Sequence, residues 1–334
     1  MSFWKQNCRA AMLPIEYNAQ VIVDDLTENN VRNMWSSRRI RNDKLYLVHV
    51  QGIAGIGLPT TLVVKKFKNM NPALQVDENV RNRCKSEMML LASICHENII
   101  NVLDVIERDE AIMLVYKCAV NGNLDRWLHR LEGRDRLLSW PKRMSIAIGM
   151  AKGLCHLHHG CNKPIVHHNI NSNNILLDQN FKAKIASFGA AQMNMAGLDQ
   201  SLPIMGLPPR NFGYAAPEYG IASSQLTEKV DVYSFGMVLL ELITGRVANG
   251  PGVHGQLAIW ARRNCKVLMA NHLQGFKIEV DKGIPDQARY MKEMGVDCTV
   301  MDQQKRPSMQ IALKRLHHSR GYVPFHGLLT CHKM

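Results

Sequence analysis

The sequence has no long apolar run. No stretch approaches the roughly 18 consecutive apolar residues of a membrane-spanning helix, and the N-terminal segment lacks the unbroken apolar core of a signal peptide. We therefore expect a globular chain that acts in the cytoplasm. Its 334 residues, 46% of them hydrophobic, can bury a large core in one two-lobed domain or in two small ones.

Paired C-x-x-C motifs are absent as well. The nine cysteines are scattered along the chain, at positions 8, 84, 95, 118, 155, 161, 265, 298 and 331. This spacing favours isolated thiols in a reducing compartment over a disulfide framework.

Dense clusters of basic residues are scarce, although the formal net charge is +13. Clustered Lys and Arg gain affinity for nucleic acids and anionic membranes by releasing counterions. Only Arg38, Arg39 and Arg41 form such a cluster, and the other basic residues are spread as on a solvated surface. An RNA-binding or membrane-binding function through these arginines is therefore our third hypothesis, and we expect no specific nucleic-acid partner.

The most informative stretch is residues 165–178, IVHHNINSNNILLD. It follows a run with helical apolar spacing, residues 144–159, and ends in the continuous apolar residues 175–177 that are typical of a short buried strand. His167 and Asn174 stand seven residues apart in the loop between them. This order resembles the catalytic loop H-R-D-x-x-x-x-N of protein kinases.

Further motifs follow in the order that this family has. Lys65 lies in the strand-like run 61–67, which resembles the V-A-I-K strand, and Glu87 lies on the next predicted helix. Residues 187–189 (SFG) stand where the family has D-F-G, residues 216–218 (APE) resemble the A-P-E motif, and Arg306 resembles the late arginine that pairs with its glutamate. The sequence around these motifs resembles the cytoplasmic kinase domain of plant leucine-rich-repeat receptor-like kinases.

The resemblance implies an α+β, bilobal fold. We expect an N-lobe with a small antiparallel β-sheet and one main helix, and a larger, mostly helical C-lobe. The predicted divisions are a partly disordered extension (1–37), an N-lobe with hinge (38–118), a C-lobe (119–318) and a C-terminal tail (319–334).

The resemblance also assigns roles to individual residues. Lys65 and Glu87 would pair at the nucleotide phosphates, Tyr116, Lys117 and Cys118 would line the adenine slot, and Asn174 would be a metal ligand. Glu218 and Arg306 would form a buried ion pair. A packed column between the lobes, anchored by Asp231, would consist of Leu91, Val102, His167 and Phe188.

The catalytic positions depart from the family pattern. His168 and Asn169 replace the arginine and the aspartate of H-R-D, Asn171 replaces the catalytic-loop lysine, and Ser187 replaces the metal-binding aspartate. No G-x-G-x-x-G is present, since its glycines would fall near Arg38, Ile40 and Asp43. The glycine-rich segment 52–57 lies between two predicted strands, so we interpret it as a turn.

These departures predict a loss of chemistry. An amide cannot act as the general base, whose contribution is about 10²–10⁴-fold, and neutral oxygens hold Mg²⁺ weakly. Our first hypothesis is therefore a pseudokinase that works as a scaffold or allosteric partner, for which ATP binding is open and Mg²⁺ binding is weak or absent. The alternative is an active Ser/Thr kinase with atypical motifs.

The resemblance also implies partners and location. We expect other protein kinases or receptor complexes as partners, in the cytoplasm or at the inner face of the plasma membrane, with membrane association only through a partner. A rival interpretation takes His156, His158, His159, Cys161, His167 and His168 as zinc ligands. No second Cys or His cluster at finger spacing supports it.

Overall fold

A computed structural model of the chain describes most of the predicted domain. The described residues are 44–50, 60–67, 78–108, 111–130, 138–202, 213–220, 225–248, 257–263 and 284–320. The predictions for the glycine-loop positions Arg38, Ile40 and Asp43, the basic cluster and the glycine-rich segment fall outside these residues.

The first part of the described chain is an antiparallel sheet of four strands in the order β1-β2-β4-β3. Its strands are β1 (Lys44–Val50), β2 (Thr60–Phe67), β3 (Val102–Arg108) and β4 (Ala111–Lys117). The helix α1 (Glu78–Ser93) lies between β2 and β3 in the chain and contacts β3 and β4.

Strand alternation gives β2 two buried faces. Leu62 and Val64 belong to a small cluster on one face, whereas Val63 and Phe67 belong to the main core that includes α1. Because successive side chains of a strand point to opposite faces, Lys65 lies on the same face as Val63 and Phe67. The strand therefore directs this lysine towards the helix.

The second part is mostly helical. Its helices are α2 (Trp140–Cys155), α3 (Lys229–Thr244), α4 (Leu257–Arg263), α5 (Ile284–Cys298) and α6 (Met309–Arg320). Four short strands complete it: β5 (Ile165–Val166), β6 (Ile175–Leu177), β7 (Ala183–Ile185) and β8 (Gln192–Met193). β5 pairs with β8 and β6 pairs with β7, both antiparallel.

Helix α3 is the centre of this part, with nearly every residue buried. It ends at Gly245, whose φ of +63° is the left-handed conformation that glycine adopts most readily. Gly236 allows α5 to approach closely, because a Cβ at this position would lie 2.6 Å from the Cβ of Cys298. The two helices therefore pack with little space for a side chain at this crossing.

The predicted bilobal α+β fold is confirmed: a small antiparallel sheet with one main helix is followed by a larger, mostly helical part. The predicted strands at Lys65 and at residues 111–117 and 175–177 are present. The domain boundaries at 37, 118 and 318 stay predictions. Among the described residues, no helix has the length and apolar character to span a bilayer.

Candidate active site

Lys65 and Glu87 meet between the sheet and α1. The Nζ of Lys65 donates a hydrogen bond of 2.6 Å to Oε2 of Glu87, which is buried. The Tyr116 hydroxyl on β4 donates to the other carboxylate oxygen of Glu87 at 3.3 Å. This carboxylate is thus held by a cation and a phenol, and α1 is fixed against the sheet.

The loop between β5 and β6 is organised by asparagine side chains. Asn171 Nδ2 donates to both Oδ1 and the carbonyl oxygen of Asn169, each at 3.1 Å. Asn174 Nδ2 donates to the same carbonyl oxygen at 2.8 Å. Asn171 Oδ1 also accepts from the backbone N–H of Asn173, which caps the helical turn 172–174. The predicted site asparagines therefore bond to one another in a single loop.

Ser187 lies opposite this loop. Asn169 Nδ2 donates to Ser187 Oγ at 3.4 Å. Ser187 has φ +73° and ψ 58°, a left-handed conformation that costs a residue with a Cβ about 1–2 kcal/mol. The next residue, Phe188, is buried and packs edge-on against the His167 ring, with 4.7 Å between centroids. This packing and the flanking contacts hold the serine in place.

Asp231 on α3 anchors the loop between β5 and β6 by hydrogen bonds. Its carboxylate accepts the backbone N–H groups of His167 (2.7 Å) and His168 (2.9 Å) and bonds to His158 Nε2 at 3.1 Å. Burial alone would raise the pKa of Asp231, but the hydrogen bond from His158 outweighs it, so the pKa is lowered. The aspartate is therefore an ionised anchor for two peptide groups and one imidazole.

The buried imidazoles of the loop are held neutral. Burial lowers the pKa of His167 to about 4, and its Nδ1 accepts from the backbone N–H of Asn169 at 3.2 Å. Its Nε2 therefore carries the proton and donates to the Ala186 carbonyl at 3.1 Å. Burial also lowers the pKa of His168, whose Nδ1 lies 2.6 Å from the Tyr219 hydroxyl. His167 and His168 are thus both neutral imidazoles at neutral pH.

A second anchor joins the A-P-E segment to the helices. Arg306 is fully buried and donates to both carboxylate oxygens of Glu218, at 2.6 and 2.8 Å. The guanidinium also lies 5.0 Å from the centroid of the Tyr233 ring and donates to the carbonyls of Val300 and Met301. A two-pronged pair of this kind satisfies both buried charges at once.

The structure also describes the other predicted residues, Leu91, Val102, Lys117 and Cys118. Leu91 on α1 and Val102 on β3 are buried in the core cluster that also contains Phe188. Lys117 is exposed, and Cys118 is partly buried, with a thiol pKa that burial raises. The Cys118 backbone N–H bonds to the Thr61 carbonyl at 3.3 Å, which joins the predicted hinge to β2.

The candidate zinc ligands do not converge. His158 bonds Asp231, His168 bonds Tyr219, and the His156 ring stacks on His96 with 4.9 Å between centroids. In the described part of the chain, no three or more His, Cys, Asp or Glu side chains form a group that could hold a metal ion. The rival zinc interpretation is therefore wrong for these residues.

The site formed by the β5–β6 loop and Ser187, called the cleft below, does not offer donors that suit Mg²⁺. The four predicted positions carry the amides of Asn169, Asn171 and Asn174 and the hydroxyl of Ser187. Mg²⁺ is held in proteins mainly by carboxylates and phosphates, and neutral oxygens are poor substitutes. The carboxylate of Glu87 is engaged by Lys65 and Tyr116. These side chains therefore do not fit a magnesium ion.

One polar cluster was not predicted. Glu241 on α3 is buried and accepts from the Tyr214 hydroxyl at 2.7 Å, with His129 Nε2 at 2.9 Å. Ser172 lies in the loop between β5 and β6, called the catalytic-type loop below, and its Oγ is 2.9 Å from the same hydroxyl. Burial raises the pKa of Glu241. A lone carboxylate in the apolar run VLLELI is the sequence signal that could have indicated such a cluster, because a buried charge needs partners.

Comparison with known proteins places this geometry in context. Residues 57–316 match the family of protein tyrosine and serine/threonine kinases. Among curated proteins of Arabidopsis thaliana, the chain is 35% identical over 271 residues to MDIS1-interacting receptor like kinase 1, covering 78% of this chain and 26% of that protein. It is 37% identical over 242 residues to leucine-rich repeat receptor protein kinase EMS1, covering 69% and 19%.

A longer alignment is with receptor-like protein kinase 5 of the same plant, 31% identical over 312 residues, covering 93% of this chain and 30% of that protein. The chain thus spans less than a third of the length of each of these relatives, between 19% and 30%.

Proposed function

Because this chain belongs to the family of protein tyrosine and serine/threonine kinases and is a kinase domain of plant receptor-like type, we propose that it is a pseudokinase of that type. In this proposal the domain keeps the bilobal framework, has lost phosphotransfer and acts as a scaffold or allosteric partner in receptor signalling. The observation that carries the proposal is the neutral composition of the loop at Asn169, Asn171 and Ser187.

The loss follows from the chemistry that phosphotransfer requires. Asn169 stands where the family has the carboxylate that accepts the substrate hydroxyl proton, and an amide has no useful basicity. Asn171 provides no cation for the transferring phosphoryl group. Ser187 provides a hydroxyl where the family holds the metal with a carboxylate. Even with non-additive effects, the combined loss should reach several powers of ten.

The alternative, an active Ser/Thr kinase with atypical motifs, is favoured by a different observation. The Lys65–Glu87 pair is closed at 2.6 Å and Phe188 is packed on His167, an assembled arrangement compatible with activity. This alternative needs a replacement carboxylate. Asp178 is the first acidic residue after Asn174. Its carboxylate accepts the backbone N–H groups of Asn180 and Lys182 in the β6–β7 turn, so it is already engaged and does not favour a role as the replacement base.

A phosphotransfer assay separates the two functions. The domain would be incubated with labelled ATP and a general protein substrate in Mg²⁺ and then in Mn²⁺, beside a Lys65→Ala variant. We expect the same background signal from both proteins. Turnover by the wild-type domain that Lys65→Ala abolishes would establish the alternative.

Partners and location are part of the same proposal. Names such as MDIS1-interacting receptor like kinase describe relatives that are receptors, and we propose that this domain likewise works beside other protein kinases or in receptor complexes. It would act in the cytoplasm or at the inner face of the plasma membrane, with a partner supplying the membrane contact. We propose no specific nucleic-acid partner. Co-purification from plant membranes with and without salt extraction would test this placement.

A further inference from the structure

We propose that the neutral side chains of the cleft hold the catalytic-type loop against the S-F-G segment without a divalent cation. In this inference Asn169, Asn171, Asn174 and Ser187 form one hydrogen-bonded unit that joins the catalytic-type loop to the S-F-G segment. The inference deepens the proposed function, since both begin from the missing carboxylates. It concerns the conformation of the cleft, however, whereas the proposed function concerns its chemistry.

The first support is that the contacts form a continuous chain. Asn174 and Asn171 both donate to Asn169, and Asn169 donates to Ser187. The Asn171 oxygen is used by the Asn173 backbone N–H. Asn169 thus acts in a way that the aspartate of H-R-D could not, because it donates to Ser187 through a side-chain nitrogen that aspartate lacks.

The second support is that backbone and imidazole contacts join the same two segments. The Ala186 backbone N–H donates to the Asn174 carbonyl at 3.0 Å, and His167 Nε2 donates to the Ala186 carbonyl at 3.1 Å. Ala186 directly precedes Ser187, so the side-chain bond at Asn169 continues a connection that the backbone begins. No charged group takes part in these contacts.

The third support is electrostatic. With aspartates at both 169 and 187, two carboxylates would stand about where Asn169 Nδ2 and Ser187 Oγ now lie 3.4 Å apart. Like charges at such a distance repel, and a cation or a bound proton must offset them. The cation of Lys65 is already engaged by Glu87, and Asn171 supplies none. Neutral side chains remove this repulsion and with it the need for a metal.

The test restores the charges. The variant Asn169→Asp/Ser187→Asp is compared with wild type by thermal unfolding at pH 7.5, without nucleotide, first in a chelator and then with Mg²⁺. The control Gln179→Glu/Gln310→Glu adds the same charge at two exposed positions. We expect wild type and control to unfold at temperatures that Mg²⁺ does not change. The restored variant should unfold several degrees lower in chelator and recover in Mg²⁺.

A wild-type measurement covers the case in which the restored variant fails to fold. Amide hydrogen exchange of residues 167–174 and 184–190 should be equally slow in chelator and in Mg²⁺. Faster exchange in chelator would overturn the inference, as would a restored variant as stable in chelator as wild type.

The two proposals can fail separately. Phosphotransfer by the wild-type domain would contradict the proposed function, even if its unfolding temperature and amide hydrogen exchange did not depend on metal. Exchange that depends on metal in a domain without phosphotransfer would remove only the present inference.

Discussion

The buried framework around Arg306, Glu218 and Asp231 contains charged side chains, whereas the loop positions of the cleft are neutral. In the framework, Arg306 pairs with Glu218, and Asp231 is ionised and holds two peptide groups and His158. In the cleft, the positions at Asn169, Asn171 and Ser187 carry no charge. A buried charge without its partner is strongly destabilising, so neither member of a framework pair can be lost alone. The neutral positions of the loop have no such requirement, although the Lys65–Glu87 pair near them is charged and fixes α1 against the sheet.

The largest effect should come from breaking the framework pair. Arg306→Ala leaves the Glu218 carboxylate buried without its cation, which should lower the free energy of unfolding by about 3–5 kcal/mol. Urea unfolding measures this change. The double variant Arg306→Met/Glu218→Leu should recover most of the loss, and a double variant as unstable as the single one would contradict this explanation.

Acid should weaken the framework in a defined range. The pKa of His167 is lowered by burial to about 4, below its ordinary value of 6.5, so the folded state binds fewer protons than the unfolded state between these values. The contribution of His167 to stability should be constant above about pH 6.5 and should fall by up to about 3 kcal/mol as the pH approaches 4. His96, His159 and His168, whose pKa values are also lowered by burial, act in the same direction.

Denaturant unfolding at several pH values measures this slope. His167→Gln removes one titrating group and should flatten the slope between pH 6.5 and 4. An unchanged slope would show that other groups control the acid transition.

The helix crossing tests the packing of the framework. Gly236→Ala places a Cβ close to Cys298 and Thr299, so α3 and α5 must separate, and we expect a loss of about 1–3 kcal/mol. Gly220→Ala is the control, since no atom lies within 4 Å of a Cβ at that position. Equal effects of the two substitutions would show that helix separation is not the cause.

The smallest effect should come from an exposed ion pair. Arg315 donates to Asp297 at 3.0 Å, with both side chains about half exposed. Removing such a pair by Arg315→Ala should cost less than about 1 kcal/mol, because water and salt screen the interaction. The same unfolding assay compares it with Arg306→Ala, and similar losses would contradict the distinction between buried and exposed charges.

The fold could be predicted from the sequence because several motifs stand in a fixed order. The strand at Lys65 and the helix at Glu87 were predicted from the pattern of apolar residues. Sequence reasoning also grouped Asn169, Asn171, Asn174 and Ser187, which the structure joins by hydrogen bonds, whereas their roles stay predictions. It missed the bonds from His158 to Asp231 and from Tyr219 to His168, because such contacts depend on how distant segments pack. The same limit hid the Glu241 cluster, whose partners lie on three separate segments.

A nucleotide and metal titration tests the central claim most directly. The unfolding temperature of the wild-type domain is measured with increasing ATP, in chelator and then in saturating Mg²⁺ or Mn²⁺. If the cleft lacks the acidic oxygens that hold a metal, any stabilisation by ATP should be no greater with metal than without it. A metal-dependent rise that Ser187→Ala or Asn174→Ala abolishes would show that these neutral side chains hold the ion, and would contradict the account.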